Sequence, residues 1–317
     1  MISEIEKFKP DIVHLHNLHG HNCNLMLLFN YLKTTTIKVI YTFHDCWTFT
    51  GYCTYFTLTG CEKWKETCFK CPQTKGNSWF FDKSKQLFVK KRELMSGGDL
   101  TIVTPSEWLA ELVKQSFLKD YPVKVIHNGI DLNIFKPTES DFRKKYNISE
   151  NKYILLGVAF GWGKRKGLDV FIELQKRLDK ARYQIVLVGT DDKVDKQLPK
   201  EIISIHRTQN QTELAEIYTA ADLFVNPTRE ENYPTVNMES IACGTPVITF
   251  RTGGSPEILT EKTGVVVDCD DVDAMQNGIE EICEKQLFSG EDCIAQAKSF
   301  DMNERFQEYI DLYKTLA

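Results

Sequence analysis

From Lys152 to the end of the chain, short β-branched and aliphatic runs alternate with amphipathic helical periods: YILLGVA, LDVFIELQKRL, QIVLVG, IISIH, ELAEIYTAA, DLFVNP, TVNMESIACG, PVITF and GVVVD. Strands buried on both faces read as near-continuous apolar runs, and parallel neighbours need a crossover helix, so this rhythm specifies a parallel sheet covered by helices. DIVHLH, LMLLFNYL, KVIYTF, SKQLFVKKREL, LTIVTPS, EWLAELVKQSFL and VKVI repeat the rhythm more loosely ahead of it. A second α/β unit therefore precedes the first. Between them HNGIDLNIFKP carries an Asn-Gly turn and Pro137, followed by the helix-forming FRKKY. The expected architecture is α/β, with two Rossmann-like doubly wound domains over residues 1–137 and 138–317 facing across a cleft and the last helix returning to the first domain. Ligand is expected at the carboxyl ends of the strands.

A chain of 317 residues has the size for two such domains. Its 39 Lys+Arg against 44 Asp+Glu give a net charge of −5, which argues against a general nucleic-acid binder. Residues 12–32 carry no formal charge and could span a bilayer by length, but they hold four His and four Asn and are not read as a membrane span. The opening MISEIEKFKPD has no apolar core of the kind a secretory signal needs, so a cytoplasmic location with reduced thiols is expected.

Two segments of the second domain suggest chemistry. In Phe160-Gly161-Trp162-Gly163-Lys164-Arg165-Lys166-Gly167, three cations and a run of backbone N–H groups open a helix, which suits a phosphate. The glycine spacing is one residue longer than a dinucleotide fingerprint, so pyrophosphate fits better than NAD; the alternative is a solvated basic turn. In the run from Pro227 to Glu239, Glu231 falls in the loop after a strand and Glu239 lies just over one turn into the next helix. Both carboxylates can then face one ligand and accept hydrogen bonds from a polyol, while the N–H groups of Thr235, Val236 and Asn237 receive phosphate oxygens. Acids complementing a helix dipole would explain Glu231 but not an inward Glu239.

Glu231-x7-Glu239, followed by Ala242-Cys243-Gly244-Thr245-Pro246-Val247-Ile248 and Gly253-Gly254-Ser255-Pro256-Glu257, resembles the donor site of the GT-B glycosyltransferases of family 4, the retaining group. Asn128-Gly129-Ile130-Asp131 with Phe135 and Pro137 is similar to the interdomain linker of that family. Within the family the resemblance is to enzymes of bacterial exopolysaccharide, capsule or colanic-acid-type assembly. It implies a donor that is a UDP- or GDP-linked sugar, with Glu231 on the sugar hydroxyls, Glu239 on the ribose, and Lys166 with Arg165 on the diphosphate. Gly163, Thr235, Val236 and Asn237 would line the phosphates, and the His206-Arg207-Thr208 loop would contact the base. His44 matches a histidine that contacts the transferred sugar from the first domain. The acceptor would be a saccharide or polyprenyl-linked sugar, with peripheral contact at the inner membrane face; residues 83–92 could meet anionic lipid or form an ordinary solvated face.

The sequence departs from that family in lacking the Gly-Phe-Gly type stretch after the first acid, and no arginine follows the first strand of the second domain directly. The first domain is expected to be shortened, without the opening strand and glycine-rich loop. That leaves a second reading, a non-catalytic nucleotide-sugar-binding fragment or partner subunit. His14, His16, His19 and His21 could suggest metal, but strand-end cleft residues are preferred because no carboxylate or thiol completes a set at usual spacing. Residues 46–72 break the α/β rhythm as an inserted loop with five cysteines. There Cys53-x7-Cys61-x6-Cys68-x2-Cys71 could close a structural zinc site, or the thiols could simply pack. Asp268-Cys269-Asp270 is read as helix capping rather than an Asp-x-Asp metal clamp, so the chemistry is expected to need no Mg²⁺.

Overall fold

The computed structural model describes residues 1–19, 23–78 and 80–316; His21 lies outside the described residues. The chain forms two compact units, one of Met1–His127 with Phe306–Ala317 and one of Asn128–Arg305. The division falls ahead of Pro137 because Ile130 and Phe135 are buried in the second unit's core, and the Ile130 N–H donates to the Phe300 carbonyl at 2.8 Å.

The first unit is a four-stranded parallel sheet in simple sequential order: β1 (Ile12–His16), β2 (Lys38–Thr42), β3 (Leu100–Thr104) and β4 (Val123–Val125). Right-handed crossovers between sequential parallel strands place the connecting helices on one face. Val39 and Tyr41 pack there with Leu28, Phe29, Leu109 and Val113. Ile40, pointing the other way, meets Val103, Ile126 and Leu312, the last on the helix Met302–Leu316. The C-terminal helix thus covers the face that the connections leave bare. Residues 12–32, free of charge but unsuited to a bilayer, divide into β1 and the helix Leu25–Leu32. Among the described residues no helix is long and apolar enough to cross a membrane.

Between β2 and β3 the insertion runs through three 3₁₀ turns, Trp47–Phe49, Thr57–Thr59 and Lys63–Lys65. It has a small core of its own: Trp64, 1% exposed, stacks on Phe56 with ring centroids 4.8 Å apart and lies 5.2 Å from Phe49. Burying each such ring stabilises by roughly 1.5–3 kcal/mol, so the segment is aperiodic without being apolar-poor.

The second unit holds six parallel strands, β5 (Tyr153–Val158), β6 (Tyr183–Val188), β7 (Ile203–Ile205), β8 (Leu223–Asn226), β9 (Val247–Phe250) and β10 (Gly264–Val267), in the order β10-β9-β8-β5-β6-β7. Ile154 and Leu156 face one apolar layer and Leu155 the other, all fully buried, as a sheet covered on both faces requires. The chain builds outward from β5 to β7, then returns to the far side of β5 at β8. That reversal leaves a crevice at the carboxyl ends of β5 and β8, because their crossover connections leave on opposite sides of the sheet.

Candidate active site

The two loops at this reversal hold the residues singled out in the sequence. After β5 the Trp162 indole N–H donates to the Val188 carbonyl at 2.9 Å, pinning the loop to β6. The backbone is extended at Gly163, makes a 3₁₀ turn at Lys164–Lys166, and enters the helix Leu168–Arg177 through Gly167 at φ 77°. A Cβ on Gly167 would stand 2.4 Å from the Pro227 carbonyl oxygen, so glycine is needed both for the left-handed backbone and for the touch between the loops.

Arg229 fastens them. Only 5% exposed, it grips Asp169 bidentately at 2.7 and 2.9 Å, reaches Asp270 through Nε at 2.6 Å, and donates to the Lys164 carbonyl at 2.5 Å. Its own N–H donates to the Arg165 carbonyl at 2.8 Å. A planar guanidinium with five donors is suited to hold three segments at once. The sequence reading missed Arg229: its partners are 60 and 41 residues away, and no local spacing links them. Asp270 is therefore spent on Arg229, Asp268 pairs with Arg251 at 3.0 Å, and Asp271 caps the helix Val272–Lys285 through the Ala274 N–H. The capping role expected of Asp268 and Asp270 belongs to Asp271.

On this frame Lys166 and Glu231 form an ion pair, both half-buried. Glu231 is held from behind, since a Cβ on Gly253 would lie 1.8 Å from its carbonyl oxygen, and Gly253 adopts φ 54°. Glu239, on the helix Thr235–Ala242, accepts from the Tyr218 hydroxyl at 3.1 Å, and burial raises its carboxyl above the usual range. That helix's N-cap residue, Pro234, makes no side-chain cap, and the Asn237 N–H donates to the Pro234 carbonyl at 3.2 Å. Asn237, fully buried, accepts from Asn226 Nδ2 at 2.8 Å, and among the described residues its own Nδ2 has no acceptor. Thr235 is exposed and Val236 half-buried. Lysine, a helix N-terminus and two carboxylates together can bind a molecule that is anionic at one end and rich in hydroxyls at the other.

Lys164, Arg165 and Arg207 are exposed, and His206 is tied to Asp195 at 2.7 Å. Asp192, Asp195 and His206 bring ligand atoms within 4.8 Å of one another, all on exposed side chains.

The first unit brings His14, His16, His19 and His44 together toward the carboxyl ends of β1 and β2. His14 bonds to the Tyr313 hydroxyl at 2.6 Å and the Thr42 hydroxyl at 2.8 Å, so both ring nitrogens are engaged. Burial, reinforced by His16 and His44, lowers its pKa to about 4. His44 Nε2 lies 3.0 Å from His16 Nδ1 with the rings stacked, and burial lowers the pKa of His44 as well. His19 pairs with Asp45 at 3.0 Å. Cys53, Cys61, Cys68 and Cys71 belong to the insertion of this unit.

WcaC of Escherichia coli strain K12, named as a colanic acid biosynthesis glycosyl transferase, is 26% identical over 283 residues, covering 83% of this chain and 65% of WcaC. The chain thus spans just under two thirds of that relative's length. Among solved structures, a sucrose-phosphate synthase from Thermosynechococcus elongatus superposes with a TM-score of 0.77 at 19% identity, over 99% of this chain and 76% of that one. Anabaena Alr3699/HepE in complex with UDP gives 0.74 at 15% identity, over 99% and 82%. These neighbours share the GT-B fold. The family model described as Glycosyltransferase Family 4 matches residues 1–134, and that described as Glycosyl transferases group 1 matches residues 138–300, more than half the chain and every strand of its second sheet. The chain belongs to the group 1 glycosyl transferases.

Proposed function

We propose that this protein is a retaining glycosyltransferase that moves a hexose from a UDP- or GDP-linked sugar to a saccharide or polyprenyl-linked acceptor in bacterial surface polysaccharide synthesis. The observation that carries the reading is the Lys166–Glu231 ion pair at the reversal of strand order, beside the uncapped helix start at Thr235. Without ligand the two charges satisfy each other. A nucleotide diphosphate sugar supplies a better partner for each: phosphate oxygens for Lys166 and the helix N–H groups, sugar hydroxyls for Glu231. Glu239 takes the ribose hydroxyls, and Arg165 and Gly163 border the diphosphate, while Arg207 is assigned to the base. The neutral imidazole of His44 can exchange a hydrogen bond with a sugar hydroxyl.

In the transfer, the bond from the anomeric carbon to the diphosphate oxygen breaks as the acceptor oxygen bonds that carbon from the same face. The acceptor proton passes to the departing phosphate oxygen. Lys166 and the helix N–H groups meet the negative charge as it grows on that oxygen, and oriented cations and dipoles contribute most where charge develops. The likeness to WcaC supports a surface-polysaccharide role, and the HepE complexes with UDP and UDP-glucose support a uridine nucleotide.

The test is a thermal-shift and calorimetric panel of UDP- and GDP-sugars, followed by NMR of the product's anomeric configuration. Binding with turnover and a retained anomer is expected. An inverted anomer sinks the retaining assignment, binding without turnover favours the non-catalytic subunit, and no binding at all removes the donor site.

A further inference from the structure

From the cysteine-bearing insertion of the first unit we propose a closed structural zinc site formed by Cys53, Cys61, Cys68 and Cys71. All four line one cavity of about 20 Å³, together with Phe56 and Trp64. A single water-sized sphere needs roughly 10–15 Å³, so the space between these side chains is of a size for one ion. The sulfurs of Cys53 and Cys71 are 3.6 Å apart. That is too long for a disulfide, whose sulfurs lie about 2.05 Å apart. It matches the edge of a tetrahedron with zinc–sulfur bonds of about 2.3 Å, roughly 3.8 Å. No three of the four sulfurs yet lie within 4.8 Å of one another. In the proposed site the sulfurs of Cys61 and Cys68, which line the same cavity, draw in toward that pair.

Supporting groups are already arranged. The Gly51 N–H donates to Cys68 Sγ at 3.2 Å, and a Cβ on Gly51 would stand 2.7 Å from the Ser84 carbonyl oxygen, which fixes where that donor sits. Lys63 Nζ donates to the Phe69 and Lys70 carbonyls at 3.2 and 3.0 Å, closing the turn between Cys68 and Cys71. Asp82 accepts from the Cys71 N–H at 2.8 Å. On loading, four thiols release four protons to solvent and four zinc–sulfur bonds form, with no change of oxidation state and no open coordination position. The site is structural: buried Lys91 donates to the Trp47 and Thr50 carbonyls at 2.6 and 3.2 Å, tying the helix Ser84–Met95 to the segment that follows His44 and Asp45.

The experiment uses the full, untagged chain, purified under reducing conditions and offered Zn²⁺ alone. One zinc per chain by elemental analysis is expected, released when a mercurial titrates the thiols, with Cys53→Ser/Cys71→Ser binding less than a tenth as much. Because that variant could fail to fold, Co²⁺ loading of the parent gives an independent reading: intense sulfur-to-cobalt bands and tetrahedral visible bands are expected. Octahedral cobalt spectra, substoichiometric zinc after reconstitution, equal zinc in the double variant, a Cys53–Cys71 disulfide in the metal-free parent or iron bound in preference to zinc would each overturn the proposal.

Discussion

At the carboxyl ends of β5 and β8, opposed charges stand on two loops that touch each other directly; toward the carboxyl ends of β1 and β2, the rings of His16 and His44 are stacked and His14 is held by a hydroxyl from a helix near the far end of the chain. The difference follows from strand order. The second sheet reverses direction beside β5, which opens a crevice between loops. The first sheet runs in sequence without a reversal, and its corner is closed instead by Tyr309 and Tyr313.

The sharpest way to break this comparison is to cut the charged site's fastening. Arg229→Leu removes every bond from that guanidinium to Asp169, Asp270 and the Lys164 carbonyl. Truncating one partner of a fully buried pair costs about 3–5 kcal/mol, but both aspartates are about half exposed and rehydrate, so about 2–3 kcal/mol is expected in urea unfolding. Donor affinity should fall more than tenfold with it. A stability change below about 0.5 kcal/mol, the ordinary surface range, would show that the loops hold without the arginine.

Next in size are the ligand contacts. Lys166→Ala and Glu239→Ala are each expected to weaken nucleotide-sugar binding by about 1.5–3 kcal/mol, the worth of a charge-assisted hydrogen bond, or roughly ten- to a hundredfold by calorimetry. Unchanged affinity in both would detach the donor from the crevice altogether.

The contrast also explains what could be read from the sequence. Parallel sheets announce themselves because strands covered on both faces must be apolar throughout, as YILLGV and QIVLV are. Lys166, Glu231 and Glu239 were legible because each sits within a few residues of the strand or helix end that aims it. The bonds of Arg229 to Asp169 and Asp270 were not, because they join residues 60 and 41 positions apart. The Tyr313 contact with His14 joins residues 299 apart, a pairing that only the folded sheet reveals. The insertion's core is illegible for another reason: Phe49, Phe56 and Trp64 have no period, yet they pack together.

Smaller effects appear with pH, and the two regions should respond in different ways. Burial raises the Glu239 carboxyl, so it takes a proton at a higher pH than an ordinary glutamate; a donor that needs the carboxylate should lose affinity as pH falls through that raised value. Glu239→Gln should bind weakly and flatten that part of the profile. His14 acts on stability instead. Its folded pKa of about 4 lies below the unfolded value of 6.5, so the unfolded chain binds more protons between the two. The resulting stability is present above about 6.5 and is lost as pH falls toward 4. His14→Phe should lessen that slope in urea titrations without shifting the pH profile of donor binding; a shift in the binding profile would mean that the two regions titrate together.

The smallest expected effect separates two aspartates that stand two positions apart. Asp268, 79% exposed, pairs with an exposed Arg251, and surface pairs contribute about 0–1 kcal/mol; Asp268→Ala should leave donor affinity intact and stability within about 0.5 kcal/mol. Asp270 occupies a left-handed backbone position at φ 69°, which aspartate tolerates, and holds Nε of Arg229. Asp270→Ala should therefore cost about 1 kcal/mol and weaken the donor slightly through the loosened loop, a fraction of the Arg229→Leu effect. If the two acids instead clamped a divalent ion, both variants would lose turnover alike, and EDTA would abolish activity in the parent until Mg²⁺ or Mn²⁺ was restored. Unequal effects, with activity unmoved by brief EDTA treatment, would place Asp270 with the arginine frame and leave Asp268 on the surface.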